Sequence, residues 1–411
     1  MKFVMTTSCY SPVERVADEK HIQNLADELI KKGHEVHIFY SWNANRFKKY
    51  AIELDSTEIR KDANGSILHP VVSPAGLFDP YLGYVLGTSP FVEHSFNNLI
   101  QDVKPDVVHH HNIFFLGHTI LRKRAKYLCL YTPHDYWLIC THIDLLKNGN
   151  TICESKSCMS CGLNSMSSKR IPQLWRWSHG YKRSIQDIDL ILAPSQFMKD
   201  KLKVELNNRI EHLPPFVTPP EHIKKSQFSN YFLYAGVLSR HKGLEDLMQT
   251  YQYYGEQINK KLIIVGRGGL KDEIQEFIER YKLEDKVLFA GFVNTDQLWS
   301  LYRDTEAVIV PSIWYENCPA VALEPLSLGV PVIGSDIGGI PEILNKIDNN
   351  LIFKAGDIKG LSDKLITFDK NKYKPDDLKS VYRAYYSAET FISGYESIIN
   401  SVLSDKFHHK Q

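Results

Sequence analysis

The segment that begins with Glu316 and ends with Glu324 has residue types and a spacing suited to binding a polar ligand. Seven residues separate the two carboxylates, and an apolar run at 307–310 precedes the first of them. Pro319 suits the first turn of a helix, where its missing N–H costs nothing, and Gly329 suits the helix end. The pattern predicts a strand, a loop carrying Glu316, and a helix carrying Glu324.

A helix that starts at this loop would present free backbone N–H groups and the positive end of its dipole to an anion. A carboxylate on each side of such a site can accept hydrogen bonds from hydroxyl groups. Together, these features favour a ligand with both phosphates and hydroxyls, such as a nucleotide sugar. The alternative interpretation is a solvated loop glutamate and a helix glutamate that faces water.

A second candidate anion site lies between Gly236 and Gly243, after an apolar run and before a predicted helix. Gly236 would let the backbone approach a diphosphate closely, and Lys242 would supply a positive charge. Arg240 is a further cation of this loop, and Gly266 lies in a similar glycine-containing stretch after the next apolar run. The alternative is a lysine in an exposed turn.

The composition is that of a globular protein with more than one domain. At 411 residues the chain exceeds the usual size of a single core. Its 49 basic and 48 acidic residues balance, which disfavours bulk nucleic-acid binding. No apolar run reaches the roughly 18 residues of a membrane-spanning helix, and no signal peptide is recognised. We expect a cytoplasmic protein, with the inner membrane face as a candidate docking surface.

Short apolar runs alternate with amphipathic stretches along the chain. We predict strands at 3–6, 35–40, 67–72, 106–110, 127–132 and 189–193, with a helix at 19–32 that ends at Gly33. The second half predicts strands at 232–235, 262–265, 287–290, 307–310 and 331–333. This alternation indicates an α/β protein with two doubly wound, Rossmann-like domains of parallel sheet wrapped by helices.

A cluster of prolines indicates the boundary between the two halves of the chain. Four prolines fall within residues 213–220, which is typical of a stiff, extended connector. We therefore predict an acceptor-side domain at 1–212, a linker at 213–229 and a donor domain at 230–387. A last helical segment at 388–411 is expected to pack back across the cleft between the domains. In such sheets ligands bind beyond the carboxyl ends of the strands, where the Glu316 loop is expected.

Several ordered motifs together resemble the family-four retaining glycosyltransferases, which have the two-domain GT-B fold. In the second half the resemblance rests on segments 316–324, 236–243 and 334–342. In the first half it rests on 33–36, on 105–111, and on Thr-Pro-His-Asp at 132–135. It covers nearly the whole chain and is densest over 231–357. The resemblance implies transfer of a sugar from a nucleotide-sugar donor to a glycan, lipid-linked or small-molecule acceptor.

The resemblance also implies roles for matching residues. Glu316 would hold hydroxyls of the transferred sugar, Lys242 would neutralise the diphosphate, and His134 would reach across the cleft to the reaction centre. Glu324 would bind the ribose. The backbone of the following residues would contact sugar and phosphate: Asn317, Cys318, Pro319 and Ala320. Fixed cations and helix N-termini aimed at a departing diphosphate lower the barrier, so no catalytic metal or other cofactor is required.

Two segments depart from the family pattern. Val237 stands where the family usually has an arginine, and Arg240 is a candidate replacement for that cation. The family's N-terminal Gly-Gly loop is replaced by Ser-Cys-Tyr-Ser-Pro-Val-Glu at 8–14. These departures keep two alternatives open: a catalytically silent nucleotide- or sugar-binding protein, and a nucleotide-sugar epimerase or hydrolase of the same fold.

Four cysteines cluster in a predicted insertion at 138–163: Cys140, Cys153, Cys158 and Cys161. Four thiolates suit a closed structural zinc site, and in a cytoplasmic protein such a cluster favours metal over disulfide. Free thiols or a redox-sensitive pair are the alternatives.

Residues 169–183 contain five Lys or Arg, two Trp and no acid. The mixture favours peripheral contact with anionic lipid headgroups or a lipid-diphosphate acceptor. A solvated basic helix whose tryptophans pack on the domain is the alternative.

Three consecutive histidines, His109, His110 and His111, invite comparison with a metal site. Because side chains alternate along a strand, His109 and His111 should share one face and His110 the other. A single three-histidine site is therefore disfavoured, and histidines that line the core or the cleft are the better interpretation.

Overall fold

The computed structural model describes residues 1–11, 17–47, 57–147, 151–154, 158, 160–161 and 173–408. Within them the chain forms two predominantly parallel sheets covered by helices, together with one short antiparallel hairpin. The predicted α/β class with two doubly wound units is confirmed. Residues 12–14 of the predicted 8–14 loop and 169–172 of the predicted basic segment lie outside the described residues, as do 148–150, 155–157, 159 and 162–163 of the predicted 138–163 insertion.

The first half contributes ten strands in the described residues. They are β1 (Lys2–Thr7), β2 (Glu35–Ser41), β3 (Arg60–Lys61), β4 (Ile67–Val71), β5 (Val107–His110), β6 (Leu128–Tyr131), β7 (Leu146–Lys147), β8 (Thr151–Ile152), β9 (Leu190–Ala193) and β10 (Ile210–His212). The first sheet has the order β10-β9-β6-β5-β1-β2-β4-β3, and β7 pairs only with β8. Every pair in this sheet is parallel except β3 with β4.

The second half contributes six strands. They are β11 (Tyr231–Ala235), β12 (Lys261–Val265), β13 (Val287–Gly291), β14 (Ala307–Val310), β15 (Val332–Ser335) and β16 (Ile352–Phe353). Their order is β13-β12-β11-β14-β15-β16, and all pairs are parallel. The order reverses between β11 and β14, so the crevice at this switch point lies between the loops that follow those two strands.

Fourteen α-helices lie in the described residues. They are α1 (Ala17–Lys31), α2 (Trp42–Phe47), α3 (Phe78–Leu86), α4 (Pro90–Val103), α5 (His179–Gln186), α6 (Gln196–Lys203), α7 (Leu244–Tyr254), α8 (Lys271–Arg280), α9 (Thr295–Asp304), α10 (Ala320–Ser327), α11 (Ile340–Leu344), α12 (Ile358–Thr367), α13 (Pro375–Tyr386) and α14 (Ala388–His408). Short 3-10 helices occur at His118–Leu121, Leu174–Trp177, Arg240–Lys242, Asn349–Leu351 and Lys370–Lys372. No described helix is both long and apolar enough to cross a membrane.

All eleven predicted strands are present, and no bound differs from its prediction by more than two residues. Most of these strands are buried on both faces, which explains why they appear in the sequence as apolar runs; β13, at the edge of the second sheet, has exposed residues such as Leu288 on one face. The helix predicted at 19–32 is α1, and Gly33 takes a left-handed conformation with φ 82° just after it. The short strands β3, β7, β8, β10 and β16 were not predicted, because two or three residues carry no recognisable period.

The last helix, α14, leaves the second half of the chain and packs on the first sheet. Phe391, Tyr395 and Ile399 are buried in one apolar cluster with Phe3 of β1 and Leu25 of α1. The Tyr395 hydroxyl lies 3.0 Å from Nδ1 of His109 on β5. Residues 213–229 contain no helix or strand. These contacts tie the two halves together, while the domain bounds stay a prediction.

Candidate active site

The Glu316 loop connects β14 to α10 at the carboxyl end of the second sheet. The helix begins at Ala320, and Pro319 is its N-cap rather than a residue of its first turn, so the predicted place of Pro319 was one position too far into the helix. Gly329 follows the helix with φ 77°, a left-handed conformation suited to a helix end. The fold thus places Glu316 before the helix N-terminus and Glu324 within the helix.

Glu316 is a buried carboxylate held by a lysine and a serine. Its side chain accepts hydrogen bonds from Lys242 Nζ and Ser312 Oγ, each at 2.6 Å, and the residue is 6% exposed. Burial raises the pKa of Glu316, but the charge of Lys242 and the two hydrogen bonds outweigh it and hold that pKa below its usual range. The side chain therefore stays anionic at neutral pH, with a cation directly beside it.

Two glycines pack against the backbone of the Glu316 loop. Gly339 N donates to Glu316 O at 2.7 Å. A Cβ on Gly339 would lie 1.7 Å from Asn317 O, and one on Gly338 would lie 2.3 Å from Glu316 O. Gly338 also has φ 63°. The predicted 334–342 motif thus serves the site through its backbone, since only glycine permits this approach.

The Lys242 loop packs against the Glu316 loop. Ile313 N donates to His241 O at 3.0 Å, and Lys242 Nζ lies 4.8 Å from the ring centre of Trp314. Gly243 follows with φ 70°, and a Cβ there would lie 1.7 Å from Pro311 O. The two loops fix each other, so the ammonium group is aimed at Glu316 before any ligand is present.

Gly236 and Gly266 meet at the ends of the neighbouring strands β11 and β12. A Cβ on Gly266 would lie 1.8 Å from Gly236 O, so this position requires glycine. The backbones therefore come close beside the Lys242 loop, as the predicted phosphate-binding role needs. That role itself stays a prediction.

Arg240 lies in the Lys242 loop, but its guanidinium group contacts other partners. It forms ion pairs with Glu245 and with Glu273, the latter at 2.9 Å, and the side chain is 56% exposed. Val237, the residue in the family's arginine position, is 54% exposed. For Arg240 to contact a donor, its guanidinium group would have to exchange these carboxylates for phosphate.

His134 follows β6, on the other side of the cleft from Glu316. Its Nε2 lies 3.1 Å from Nδ1 of His111, and burial lowers the pKa of both imidazoles. The carboxylate of Asp18 partly offsets the effect of burial on the pKa of His134. Both rings are therefore neutral at neutral pH, and His111 orients the ring of His134.

The histidine alternation predicted for β5 is confirmed. The rings of His109 and His111 lie 4.1 Å apart on one face. His110 points to the other face, where its Nδ1 lies 2.8 Å from Thr6 Oγ1. His109 and His111 thus belong to the cleft side, between α14 and His134.

Asn317 joins the two halves of the site. Its Nδ2 donates to His134 O at 2.7 Å, although 183 positions separate the two residues. A second link is Glu342, whose carboxylate accepts hydrogen bonds from Gln196 N at 2.8 Å and Phe197 N at 2.6 Å, at the start of α6. The Glu316 loop and the His134 loop therefore face each other across the cleft at bonding distance.

Glu324 differs from Glu316 in its electrostatic surroundings. It is 8% exposed. Burial raises the pKa of Glu324, and the positive charge of Lys20 on α1 only partly offsets this effect. The two carboxyls of one motif thus have pKa values shifted in opposite directions, which suits a hydroxyl ligand at Glu324 and a charged neighbourhood at Glu316.

Glu324→Gln is expected to raise the free energy of unfolding at neutral pH by about 1 kcal/mol. The folded-state pKa of Glu324 is raised, so ionising this carboxyl at neutral pH costs stability, and a neutral amide avoids that cost. The gain should shrink as pH falls through the raised pKa towards the unfolded value of about 4.3, where both states are protonated. Urea unfolding at stepwise lower pH measures it. The exposed Glu279→Gln is the control, and a gain independent of pH would contradict the assignment.

Three residues near the site carry no signal in the sequence analysis: Ser312, Trp314 and Lys20. Ser312 and Trp314 lie between β14 and Glu316, so their closeness to Glu316 in the chain could have identified them. Lys20 lies on α1 of the first half, and only the arrangement of the two halves brings its charge near Glu324. Cys318, a predicted donor-binding residue, is half-buried against the apolar core that surrounds the second sheet.

The predicted zinc site at Cys140, Cys153, Cys158 and Cys161 stays a prediction. Cys161 Sγ lies 3.5 Å from His142 Nδ1, and His142 N donates to Cys140 Sγ at 3.4 Å. Within the described residues, no group of three or more His, Cys, Asp or Glu side chains is arranged to hold a metal ion.

The described part of the basic segment packs its tryptophan on the domain. Trp175 stacks on His118 with ring centres 5.1 Å apart, and Trp175 Nε1 donates to Tyr84 O at 3.1 Å. Arg176 lies over the ring of Trp175 at 4.6 Å. Trp177, in contrast, is 44% exposed.

Two family models match the chain in tandem. The one described as Glycosyltransferase Family 4 matches residues 19–219, and the one described as Glycosyl transferases group 1 matches residues 220–384. Among curated relatives, the uncharacterized glycosyltransferase MJ1607 of Methanocaldococcus jannaschii is 37% identical over 119 residues, which are 29% of this chain and 30% of that one. An uncharacterized 42.6 kDa protein in the cps region of Klebsiella pneumoniae is 24% identical over 411 residues, covering 96% of this chain and 100% of that one.

Solved structures resemble the whole chain. The sucrose-phosphate synthase of Thermosynechococcus elongatus aligns with a TM-score of 0.71 at 16% identity, covering 98% of this chain and 99% of that one. HepE of Anabaena, in complex with UDP, aligns with a TM-score of 0.64 at 15% identity, covering 97% and 100%. At these identities the likeness concerns the fold.

Proposed function

Because the chain belongs to the family-four, group 1 glycosyltransferases, we propose that it is a retaining enzyme that transfers a sugar from a nucleotide-sugar donor. The acceptor is a glycan, a lipid-linked glycan or a small molecule, within polysaccharide biosynthesis. The observation that supports this most is the meeting of Lys242, Glu316 and His134 at one cleft. Each lies beyond the carboxyl end of a parallel strand, where such sheets bind ligands.

The reaction breaks the bond between the sugar's anomeric carbon and the diphosphate oxygen, and the electron pair stays on the diphosphate. Lys242 and the N-terminus of α10 would stabilise this growing negative charge. Glu316 would hold the sugar hydroxyls, having exchanged part of its contact with Lys242 for the donor. The acceptor oxygen bonds to the anomeric carbon on the face that the diphosphate leaves, and its proton passes to the departing phosphate oxygen.

The half-buried His134 would contact the sugar from the first domain. Its ring is neutral and oriented by His111, so it can donate or accept one hydrogen bond without carrying charge to an already cationic site. Glu324 would accept a hydrogen bond from a ribose hydroxyl. None of these steps requires a metal ion, and structural zinc at the cysteine cluster would serve the insertion only.

A thermal-stability panel of nucleoside diphosphates and nucleotide sugars tests the proposal. A ligand that binds only the folded protein at 100 times its Kd adds about 2.7 kcal/mol of stability. We expect one nucleotide to raise Tm and one of its sugar conjugates to raise it further. UDP is the first to try, since HepE was solved with it. No shift with any donor would contradict the proposed donor site.

Turnover separates the proposed enzyme from its alternatives. A silent binding protein, which the exposed Val237 favours, would show the Tm shift yet never release nucleoside diphosphate from its donor. An epimerase or hydrolase would convert the donor with no acceptor present. A transferase releases the diphosphate in proportion to a glycosylated acceptor.

A further inference from the structure

Helix α3 buries its polar and small residues and exposes its apolar ones. Asp79, Pro80 and Gly83 are buried, whereas Phe78 and Leu86 are 73% and 54% exposed. Tyr81 is 40% exposed between them, and Leu77 just before the helix is 53% exposed. The apolar residues of the helix recur at helical spacing and so form one stripe that faces outward. They are Phe78, Tyr81, Leu82, Val85 and Leu86. We name this set the α3 stripe.

The α3 stripe cannot turn inward, because the opposite face is fixed. Asp79 accepts a hydrogen bond from Ser89 Oγ at 2.5 Å, and Ser89 is also the N-cap of α4. A Cβ on Gly83 would lie 2.2 Å from Phe115 O, which shows how closely the helix backbone packs there. The exposure of the stripe is therefore built into the packing of the domain.

Two more exposed apolar side chains lie on a segment that packs against α3. Trp175 Nε1 bonds to Tyr84 O in the middle of α3, which brings the 3-10 helix Leu174–Trp177 against it. Leu174 is 69% exposed and Trp177 is 44% exposed. We call the α3 stripe together with Leu174 and Trp177 the apolar patch. Exposed apolar side chains grouped on two segments that pack against each other indicate a place of contact with a partner or a membrane.

A cationic groove lies next to this patch. Its lining contains four basic side chains and a histidine but only one carboxylate, that of Asp187. The basic residues are Arg122, Lys123, Arg124 and Arg183, and the histidine is His179. Lys123 is paired with Asp189 at 2.5 Å and Arg124 with Glu93. Within the described residues, Arg122 and Arg183 have no carboxylate partner, and the neighbouring Lys182 is exposed.

One residue, His118, connects the patch and the groove. A Cβ on Gly87, at the end of α3, would lie 2.8 Å from His118 Cδ2, and one on Gly180 would lie 3.9 Å from His118 Cε1. The same Cβ on Gly180 would lie 2.9 Å from Arg122 Nη2. The end of α3 and the side chain of Arg122 thus both lie close to His118, so the apolar stripe and the cations are near each other on the first domain.

This face adjoins the acceptor side of the cleft. The ring of Tyr84 on α3 lies 4.8 Å from that of Phe114, and Phe114 N bonds to Asn112 Oδ1 at 3.2 Å. Asn112 directly follows His111, which orients His134. A ligand held at this face would therefore enter the cleft from the first domain.

We propose that the α3 stripe, with Leu174 and Trp177, docks the enzyme onto a bilayer containing anionic phospholipid. The apolar side chains enter the interfacial layer, while Arg122, Lys182 and Arg183 contact phosphate headgroups. A second copy of the chain fits less well, since a two-fold contact would set these cations against each other. The inference deepens the proposed function and rests on it in one respect: docking would present a lipid-linked acceptor to the cleft.

Cosedimentation of the full chain with vesicles, without donor or acceptor, tests the proposal. We expect binding to vesicles of phosphatidylcholine mixed with phosphatidylglycerol, weaker binding at high salt, and little binding to phosphatidylcholine alone. Phe78→Ser with Leu86→Ser should lower the partition coefficient at least about tenfold, since each side chain loses its transfer out of water. The matched control is Val204→Ser with Tyr253→Ser, two side chains that are 81% and 61% exposed elsewhere, and it should bind like the wild type.

Lys182→Ala with Arg183→Ala should bind anionic vesicles several-fold less and depend less on salt. Equal binding of the wild type and the Phe78/Leu86 variant would overturn the proposal, as would equal binding to both kinds of vesicle. A dimer in sedimentation velocity that this variant abolishes would assign the face to a second copy and overturn it too. The variant should still release nucleoside diphosphate from a soluble donor at the wild-type rate, so failure of docking and failure of transfer are measured separately.

Discussion

Glu316→Gln is expected to lower kcat by about 10²–10³-fold, the loss typical of removing one preorganised electrostatic contact from a transition state. The amide keeps the size of the side chain and can still contact a hydroxyl. It removes the negative charge that stands 2.6 Å from Lys242, at the place where we propose that the transferred sugar binds. Nucleoside diphosphate affinity should change far less, because Lys242 and the α10 N-terminus remain. Steady-state kinetics with the donor found by the thermal panel, and calorimetry with its nucleotide, measure the two effects.

The control for this variant is Glu279→Gln, the same substitution at an exposed position of α8. It should leave both kcat and nucleotide affinity at wild-type values. If Glu316→Gln bound the donor normally and kept its full transfer rate, the site would be wrongly placed. A loss confined to nucleotide affinity would move Glu316 from the sugar to the diphosphate.

The sequence predicted the long strands and the site-bearing loops well, because both depend on local signals. A buried parallel strand is an apolar run, and the loop after it is where charged residues collect. Glu316 and Lys242 were both identified in this way. Their contact was not predicted, because it depends on β11 and β14 being neighbours in the sheet. Local sequence patterns do not predict the order of strands in a sheet.

The contacts between the two halves lie beyond sequence patterns altogether. Asn317 bonds to the backbone of His134, and Glu342 bonds to backbone N–H groups at the start of α6. In all three bonds the partner is a backbone group. The side chain of the partner residue plays no part in the bond, so its type in the sequence does not predict the contact. Only the orientation of the two sheets brings these groups together.

The exposure of the α3 stripe contradicts the usual meaning of its pattern. Apolar residues at helical spacing ordinarily indicate a buried face. Here Gly83 and the Asp79–Ser89 bond occupy the inner face, so Phe78 and Leu86 are left outside. A close-packed glycine and a capping serine determine which face of this helix is buried, and neither produces a periodic pattern in the sequence.

Lys242→Met is expected to lower the free energy of unfolding at neutral pH by about 3 kcal/mol, the usual cost of leaving one member of a buried ion pair unpaired. Methionine can keep the contact with Trp314, but Glu316, 6% exposed, loses its cation. The carboxylate pKa then rises, because burial is no longer outweighed by the lysine. The loss should therefore be full only above this raised pKa, and should shrink as pH falls through it and then through the depressed pKa that Glu316 has in the wild type.

Combining Lys242→Met with Glu316→Gln separates the stability of the pair from its chemistry. The double variant has no buried charge left at this position, so its free energy of unfolding should recover most of what Lys242→Met loses. Its kcat should nevertheless stay at least as low as that of Glu316→Gln, because in the proposed mechanism the diphosphate has lost its cation and the sugar its carboxylate. Urea unfolding of the four proteins in this cycle, with kcat for each, measures both. If the double variant instead lost the sum of the two single losses of stability, the 2.6 Å contact would contribute no coupling energy. The Lys242 ammonium would then have to be stabilised by other groups.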